Sequence, residues 1–280
     1  MTPTPPRALT IAGSDSGGGA GLQADLRTFF ACRVHGLVAV TAVTVQNSLA
    51  VSAVAEIPAG IVAAQIETVA TDIGVQAAKT GMLASAEIIE AVAKACDRVD
   101  IGQGGRIPFV VDPVAASMHG DPLLHKDALQ ALRSELFPRA TLVTPNLDEV
   151  ALLTGIGVRN RADQRDAAVA LVELGAGCAL VKGGHMRDDP ECVDLFYDGR
   201  TFTELPAARM DTKHTHGSGD TMASSITAAL ARGMDLPAAV RYGKRFVTRS
   251  VRAAYPLGAG VGPVSPMWRL AQEDPAESGP

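Results

Sequence analysis

The stretch ALTIAGSDSGGGAGLQADL, residues 8–26, decides the fold of this chain. It begins with a five-residue apolar run and continues into a nine-residue loop that contains five glycines. A helical apolar pattern then follows through Leu22, Leu26, Phe29 and Phe30. Strand, glycine loop and helix in this order are the layout of a nucleotide-binding turn in an α/β protein. We therefore predict a β-strand at residues 8–12 and an α-helix after the loop.

The glycine loop is not predicted to bind a dinucleotide. Gly19, Gly21 and Ala24 satisfy the pattern G-x-G-x-x-A, but that pattern also needs an acid about 20 residues further on. The second predicted strand, residues 37–45, is followed by Gln46, and the next acid is Glu56. The chain also lacks G-x-x-x-x-G-K-[ST], which excludes a P-loop. We expect these glycines to let the backbone approach a small ligand.

Strands and helices alternate along the rest of the chain. Further strands are predicted at residues 51–57, 77–83, 108–111, 141–144 and 178–181, with a hairpin at 193–197 and 200–205. Helices are predicted at residues 58–72, 85–96, 125–136, 147–154, 162–174, 218–232 and 236–254. This order predicts a three-layer α/β/α sandwich with a mostly parallel central sheet. We expect one domain at residues 8–265, a flexible N-terminus at 1–7, a flap near 114–122 and a loose tail at 266–280.

Bulk composition narrows the classes of function. Of the 280 residues, 47% are hydrophobic and 4% aromatic, which suits buried aliphatic strands covered by helices. The net charge of −5 gives no general basic field for nucleic acid or an anionic membrane. No apolar run has the length of a membrane span. The four cysteines form no C-x-x-C pair, so we expect reduced thiols and a cytoplasmic location.

Polar or soft side chains follow the predicted strands at the same end. They are Asp15, Gln46, Met82, Asp112, Asn146, Lys182 and Asp220. Ligands of open α/β sheets bind beyond the carboxyl ends of the strands. The sequence therefore predicts one site at this edge of the sheet.

The stretch HTHGSGDTM, residues 214–222, is a candidate anion site at that edge. Gly217 and Gly219 allow successive N–H groups to face one point, and a helical pattern starts directly afterwards. Amides at a helix N-terminus attract an anion such as phosphate, and Asp220 beside it could accept a proton from an attacking hydroxyl. An ordinary glycine turn with Asp220 as a helix cap explains the stretch equally well.

These residues resemble the ribokinase-like superfamily and, within it, the hydroxymethylpyrimidine/phosphomethylpyrimidine kinases of thiamine biosynthesis. The matching runs span nearly the whole chain: residues 9–15, 18–26, 41–47, 79–83, 111–114, 120–124, 144–147, 181–185 and 215–219. The resemblance implies ATP-dependent phosphorylation of 4-amino-5-hydroxymethyl-2-methylpyrimidine and then of its monophosphate. It also implies Mg²⁺ and a homodimer.

The resemblance assigns the phosphoryl-transfer residues. Asp220 is the expected base, and the amides of Gly217, Ser218 and Gly219 are expected to stabilise the transferred group and the nucleotide phosphates. Lys182 is the expected cation on the ATP phosphates. Asn146 and Glu149 match the N-x-x-E pattern that assists nucleotide and Mg²⁺ binding, and Asp112 could also bear on the metal. Capping residues at a helix start are the alternative for Asn146 and Glu149.

The resemblance also implies a pyrimidine pocket. A side-chain amide at Gln46 can both donate to and accept from a pyrimidine edge. The pocket is completed by the backbone of Gly13 with Ala20 and Asp25, while Met82 and Val114 pack on the ring. Without the resemblance, Met82 and Val114 are core residues and Asp25 is a helix-surface acid.

Two departures separate this chain from the pyrimidine kinases. Asp220 occupies a position that usually carries Cys, and Met118 replaces the usual flap Lys, with His119 beside it. Because the charges of the Asp220 carboxylate and of a dianionic monophosphate repel each other, the second phosphorylation is expected to be the weaker activity. A pyridoxal or pyridoxine kinase and a catalytically silent pyrimidine-binding sensor are the alternatives. His214 and His216 are predicted to be structural or close to phosphate, since a third zinc ligand is missing nearby.

Overall fold

The computed structural model describes residues 3–115, 126–184, 186 and 191–272. The predicted flap falls largely outside this range, and so do Met118 and His119. Residues 273–280 of the predicted tail also lie outside it. Every statement below concerns the described residues.

A central sheet of eight strands organises the fold, in the order β10-β9-β8-β7-β6-β5-β1-β2. Pairing is parallel from β2 to β8, whereas β9 is antiparallel to both of its neighbours. The strands of the chain are β1 (Arg7–Ala12), β2 (His35–Val40), β3 (Ala42–Gln46), β4 (Val51–Glu56), β5 (Ala77–Thr80), β6 (Phe109–Val111), β7 (Leu142–Val143), β8 (Ala179–Val181), β9 (Asp194–Tyr197) and β10 (Phe202–Leu205). The predicted mostly parallel sheet is confirmed.

Helices cover both faces of the sheet. They are α1 (Gly21–Ala31), α2 (Ala59–Asp72), α3 (Ala86–Arg98), α4 (Lys126–Ala131), α5 (Leu147–Thr154), α6 (Arg161–Glu173), α7 (Ser218–Ala231) and α8 (Leu236–Arg252). One core cluster joins the sheet to α2–α6, for example through Ile66 and Leu171. A second cluster joins it to α1, α7 and α8 through Phe29, Ile226 and Phe246. Parallel strands buried on both faces explain the aliphatic composition.

The predicted strand at residues 37–45 is two strands in two different sheets. Thr41 interrupts it, because its N–H bonds to the carbonyl of Ala12 at 3.0 Å, where β1 ends, and its hydroxyl bonds to the carbonyl of Met82 at 2.7 Å. The next residues form β3, which pairs antiparallel with β4 as a separate hairpin. This hairpin stands beside the carboxyl end of the main sheet.

The predicted helix at residues 125–136 is α-helical only as far as α4. A π-helical turn follows at Leu132–Leu136, and a 3₁₀ turn at Phe137–Arg139. Pro138 explains the change, because its ring disfavours α-helical geometry in the preceding turn and it has no N–H to continue the hydrogen-bond ladder.

Both predicted termini are more ordered than expected where they are described. Arg7 belongs to β1, and its N–H bonds to Gln76 Oε1 at 2.6 Å. Pro266–Gln272, expected to be part of a loose tail, forms a 3₁₀ helix. The Trp268 ring in this helix lies tilted against the Phe246 ring, with centroids 5.2 Å apart, and its Nε1–H donates to Ser250 Oγ at 3.0 Å. Across the described ranges, none of the helices combines the length and apolar character needed to cross a membrane.

Candidate functional site

Three neighbouring strands bring a charged cluster to the carboxyl edge of the sheet. Asp112 follows β6, and its Oδ1 accepts hydrogen bonds from Thr144 Oγ1 at 2.9 Å and Lys182 Nζ at 3.0 Å. Lys182 follows β8, and its backbone N–H bonds to the carbonyl of Pro145 at 2.9 Å. Thus residues 70 positions apart form an ion pair because β6 and β8, which flank β7, end at one edge of the parallel sheet.

Lys182 is well suited to hold an anion. Its side chain is 14% exposed, so the ammonium can meet a ligand although most of it is buried. Burial opposes the charge, but Asp112 and Glu149 outweigh burial and raise the pKa of Lys182. The ammonium therefore stays charged, held in that form by the carboxylates around it.

Asn146 and Glu149 form a complete capping box at the start of α5. The Glu149 N–H donates to Asn146 Oδ1 at 2.9 Å, and the Asn146 N–H donates to Glu149 Oε2 at 2.7 Å. The capping interpretation is confirmed. Burial and the nearby Asp112 raise the pKa of Glu149 to about 7, against the opposing effect of Lys182. Glu149 therefore changes charge near neutral pH, next to the lysine.

Helix α7 begins with the Ser218 N–H bonded to the carbonyl of Thr215 at 3.1 Å, followed by two amides that have no acceptor among the described residues. Gly217 precedes it with a φ of +74°, and a Cβ there would overlap the carbonyl oxygen of Gly19. Within the described chain, the N–H groups of Gly219 and Asp220 find no hydrogen-bond acceptor. A Cβ at Gly219 would lie 3.3 Å from Lys182 Nζ, so the ammonium lies beside these amides. Free amides, a helix N-terminus and a cation at one point favour an anion.

Asp220 lies in the first turn of α7, with 16% of its side chain exposed. Burial raises its pKa to about 6, helped by Asp25 and Asp112 and opposed by Lys79 and His216. At neutral pH the group is ionised, but it binds a proton more readily than an ordinary Asp. These are the properties of a general base.

Asp25 does not line the pocket, contrary to the prediction. The whole residue is buried, and its carboxylate accepts hydrogen bonds from Thr10 Oγ1 at 2.6 Å, Lys79 Nζ at 2.9 Å and the Ser224 hydroxyl. Lys79 also lies 3.9 Å from Asp220 Oδ1. Lys79 carries no role predicted from the sequence. Its partner is 54 residues away, so a local pattern could not reveal the pair.

The glycine loop before α1 is filled by a side chain of its own. Asp15 accepts from the N–H groups of Gly17, Gly19 and Ala20 at 2.8, 3.0 and 2.8 Å. His216 Nε2 lies 2.9 Å from the same carboxylate. Burial opposes the charge of Asp15, but His216 and the loop amides outweigh burial and lower its pKa. The amide of Ala20, a residue predicted to complete the pocket, is therefore already bonded.

Gly13 is likewise committed within the protein. Its N–H donates to the carbonyl of Met82 at 3.1 Å, and its carbonyl accepts from the N–H of Leu22 at 3.0 Å. A Cβ at Gly13 would overlap the end of the Met82 side chain. Glycine here allows close packing of the Met82 side chain, a role different from the predicted backbone contact with substrate.

Gln46, Met82 and Val114 are half-buried near the same edge. Gln46 ends β3, and its Oε1 accepts a weak hydrogen bond from Thr44 Oγ1 at 3.3 Å. Its Nε2 donates to no group in the part of the chain that is described. Met82 packs against the core cluster, and the Val114 N–H bonds to the Asp112 carbonyl at 2.9 Å. All three keep surface available for a small ligand.

Both histidines of the H-x-H pattern have protein partners. His214 Nδ1 accepts from the N–H of Gly262 at 2.9 Å, while His216 contacts Asp15 as described above. These contacts support the structural interpretation of the two histidines. Among the residues that are placed, no three His, Cys, Asp or Glu side chains group as metal ligands. Asp112 Oδ2 is a suitable single oxygen ligand for a metal ion. It accepts no hydrogen bond from a described residue, and it lies 3.7 Å from a Cβ placed at Gly219.

Comparison with known proteins points to one family. The family described as phosphomethylpyrimidine kinase matches residues 15–265. A hydroxymethylpyrimidine/phosphomethylpyrimidine kinase from Mycobacterium tuberculosis is 58% identical over 268 residues, which cover 96% of each chain. The ADP complex of Bacillus subtilis pyridoxal kinase has a TM-score of 0.87 and 37% identity, covering 94% of this chain and 98% of that one. Phosphomethylpyrimidine kinase from Clostridium difficile has a TM-score of 0.76 and 37% identity, covering 88% of this chain and 99% of that one.

Proposed function

Because this chain belongs to the phosphomethylpyrimidine kinase family, we propose that it transfers the γ-phosphoryl group of ATP to hydroxymethylpyrimidine and to its monophosphate. The free amides of Gly219 and Asp220 beside Lys182 are the observation that carries this proposal. The amides and the ammonium together offer hydrogen-bond donors and a positive charge to the phosphoryl group. The Asp220 side chain brings a carboxylate next to that group.

The reaction follows from these residues. Asp220 accepts the proton of the substrate hydroxymethyl group. At the same time, the oxygen of that hydroxymethyl group forms a bond to the γ-phosphorus of ATP. The bond from that phosphorus to the bridging oxygen breaks, and ADP leaves. The N–H groups of Gly219 and Asp220 and the ammonium of Lys182 stabilise the negative charge on the transferred group. Gly217 and Ser218 shape the turn that presents these amides.

Mg²⁺ would be held by oxygen ligands at the same place. Asp112 Oδ2 fits a direct ligand, whereas the Glu149 carboxylate is bonded to the Asn146 amide and fits a contact through water. The ion would neutralise charge on the ATP phosphates. Asn146 contributes by fixing Glu149 through the capping box.

We place the pyrimidine between the β3–β4 hairpin and the strand ends. The free Nε2 of Gln46 is available to donate to a ring nitrogen, and its Oε1 can accept from an exocyclic amine. Met82 and Val114 supply apolar contacts to the ring. Gly13 and Asp25, which are buried and bonded within the protein, support the pocket from behind, whereas half-buried Ala20 keeps surface for the substrate.

Pyridoxal kinase activity is the second candidate. The similarity to Bacillus subtilis pyridoxal kinase, at a TM-score of 0.87, favours it. A pyridine with a hydroxymethyl group could use the same base and the same anion site. A silent sensor is disfavoured, since Lys182, Asp220 and the free amides are arranged for transfer.

Parallel kinetics test the proposal. Initial rates with hydroxymethylpyrimidine, its monophosphate and pyridoxal are measured under the same Mg²⁺ and ATP concentrations. We expect the highest kcat/KM with hydroxymethylpyrimidine and a lower value with the monophosphate, whose charge is repelled by Asp220. A higher kcat/KM with pyridoxal would replace the proposal with the second candidate. Ligand binding without ADP formation would establish the sensor.

We also propose a homodimer in the cytoplasm, as the resemblance implies. One face of the β3–β4 hairpin supports the dimer, because the register places Val43 opposite Ala55 and Val45 opposite Ala53, all exposed. Val43 and Val45 are 48% and 58% exposed, an unusual amount of apolar surface on one small sheet. Light scattering should give a dimer that Val45→Glu converts to monomer. A monomeric wild type would contradict the proposal.

A further inference from the structure

Lys79 is a fully buried ammonium directly behind the expected base. Its side chain is 0% exposed, although lysine is seldom buried without a specific partner. It lies on β5, and Gly81, two residues later, covers it: a Cβ there would be 3.5 Å from Lys79 Nζ and 3.9 Å from Asp220 Oδ1. The ammonium is therefore sealed from solvent but close to the reacting edge.

The hydrogen bonds of Lys79 are incomplete. An ammonium has three donors, and in the described structure only Asp25 Oδ1 lies within hydrogen-bond distance, at 2.9 Å. A second carboxylate oxygen, Asp220 Oδ1, lies 3.9 Å from the ammonium. Asp25 itself is fixed by Thr10 and Ser224. Lys79 is thus anchored on one side and directed toward Asp220 on the other.

We propose that Lys79, anchored by Asp25, is a positioning residue that keeps the Asp220 carboxylate ionised and directed at the substrate hydroxyl. The inference rests on the proposed function, since it gives Lys79 its role through Asp220. It assigns the Lys79–Asp25 pair to catalysis although neither residue can touch substrate.

The charges around Asp220 support this role. The charged and titratable groups that act on it come from five elements: Lys79 on β5, Asp25 on α1, Asp112 after β6, Lys182 after β8 and His216 before α7. Asp25 and Asp112 raise the pKa of Asp220, as burial does, whereas Lys79 lowers it. Burial opposes the charge of Lys79, but its carboxylate neighbours outweigh burial and raise its pKa, so it remains a cation.

The pH dependence of kcat, at saturating ATP, Mg²⁺ and hydroxymethylpyrimidine, tests the proposal. Lys79→Gln removes a cation, so the acidic midpoint of kcat should rise by about 1 pH unit. Asp25→Asn removes an anion, so the midpoint should fall. A purely structural pair predicts lower stability in both variants without opposite shifts. Equal, absent or same-direction shifts would overturn the proposal.

Lys244→Gln is the matched control. Lys244 is also a buried lysine, 2.8 Å from Asp194, and its described partners are Asp194 and Cys192, not Asp220. The Lys244→Gln substitution should lower the melting temperature and leave the acidic midpoint of kcat unchanged. If Lys79→Gln does not fold, the direction of the Asp25→Asn shift decides alone. Absent activity in the wild type would refute the proposed function; an active wild type with unshifted variants refutes only this inference.

Discussion

Two glycine-rich loops precede helices at the same edge of the sheet, yet they differ in what their amides bind. In the loop before α1, Asp15 accepts three backbone N–H bonds and lies beside His216. In the loop before α7, the amides of Gly219 and Asp220 have no acceptor in the described structure. In the sequence the first loop is expected to approach a small ligand and the second to bind an anion, but the first carries its own carboxylate.

The difference assigns separate roles to the two loops. The first loop is closed, because its amides bond to its own Asp15 carboxylate. That carboxylate also links the loop to His216, 201 residues away. The second is open and has Lys182 beside it, so it can receive a phosphoryl group from outside. A glycine loop therefore indicates where backbone comes close to a partner, and the tertiary contacts decide whether that partner is internal.

Replacement of the cation beside the open loop should have the largest effect. Lys182→Gln removes the charge that faces the free amides, so kcat/KM for ATP should fall by about 10²–10³-fold. Initial rates at varied ATP measure the loss. Lys94→Gln is the control, because Lys94 is 64% exposed in a surface ion pair and should leave the rates unchanged. An unaltered kcat/KM in Lys182→Gln would mean that the open loop does not receive the ATP phosphates.

The contact between the two loops should be sensitive to a single methyl group. Gly217→Ala adds left-handed strain and an overlap with the Gly19 carbonyl, so unfolding free energy should fall by about 3 kcal/mol. Gly233→Ala has a φ of +83° with no atom within 4 Å of the added Cβ, and should cost only about 1 kcal/mol. Urea unfolding measures both variants. Equal losses would show that the loops are not closely packed.

Methyl groups placed in the two loops should separate their functions. Gly219→Ala puts a carbon 3.3 Å from Lys182 Nζ, and displacement of the ammonium should raise KM for ATP about tenfold, or ~1.4 kcal/mol. Gly17→Ala puts its Cβ 3.1 Å from Asp15 Oδ1 and within 4 Å of the Asn47 backbone, away from Lys182, and should leave KM for ATP unchanged. An equal rise in both variants would remove the distinction between an open and a closed loop.

Removal of the Asp15 carboxylate from the closed loop should have a smaller effect on stability, and that effect should depend on pH. The folded-state pKa of Asp15 is below its ordinary value of 3.8, so its carboxylate stabilises the fold above that pH and ceases to do so as pH falls through the folded-state pKa. Asp15→Asn should lower the unfolding free energy by about 1 kcal/mol at neutral pH. That difference should shrink below pH 3.8. Denaturation of wild type and Asp15→Asn at several pH values measures this difference. Asp211→Asn, at an exposed position, is the control. A difference in stability that does not change with pH would contradict the closed-loop interpretation.

The sequence predicted local features well. Hydrophobic periodicity located nearly all the strands and helices, because each depends on neighbouring residues. Strand ends placed Asp112 and Lys182 at one edge, where they form an ion pair at 3.0 Å. The alternative of a helix cap at Asn146 was readable for the same reason, since a capping box spans only four residues.

Features that depend on distant contacts could not be predicted. The break at Thr41 depends on where β1 ends, and the closed state of the first loop depends on His216. Asp25 looked like a pocket or surface acid because its partners Lys79 and Ser224 lie 54 and 199 residues away. Buried charge pairs of this kind become visible only when the strands and helices are assembled.

The most direct test of the central claim, that α7 begins at the phosphoryl-transfer site with Asp220 as base, is the single-turnover rate of Asp220→Asn at saturating ATP. The substitution keeps the size of the side chain and removes its ability to accept a proton. We predict a rate at least about 10²-fold below wild type, with hydroxymethylpyrimidine bound as tightly as before. A rate close to wild type would contradict the assignment of Asp220 as the base.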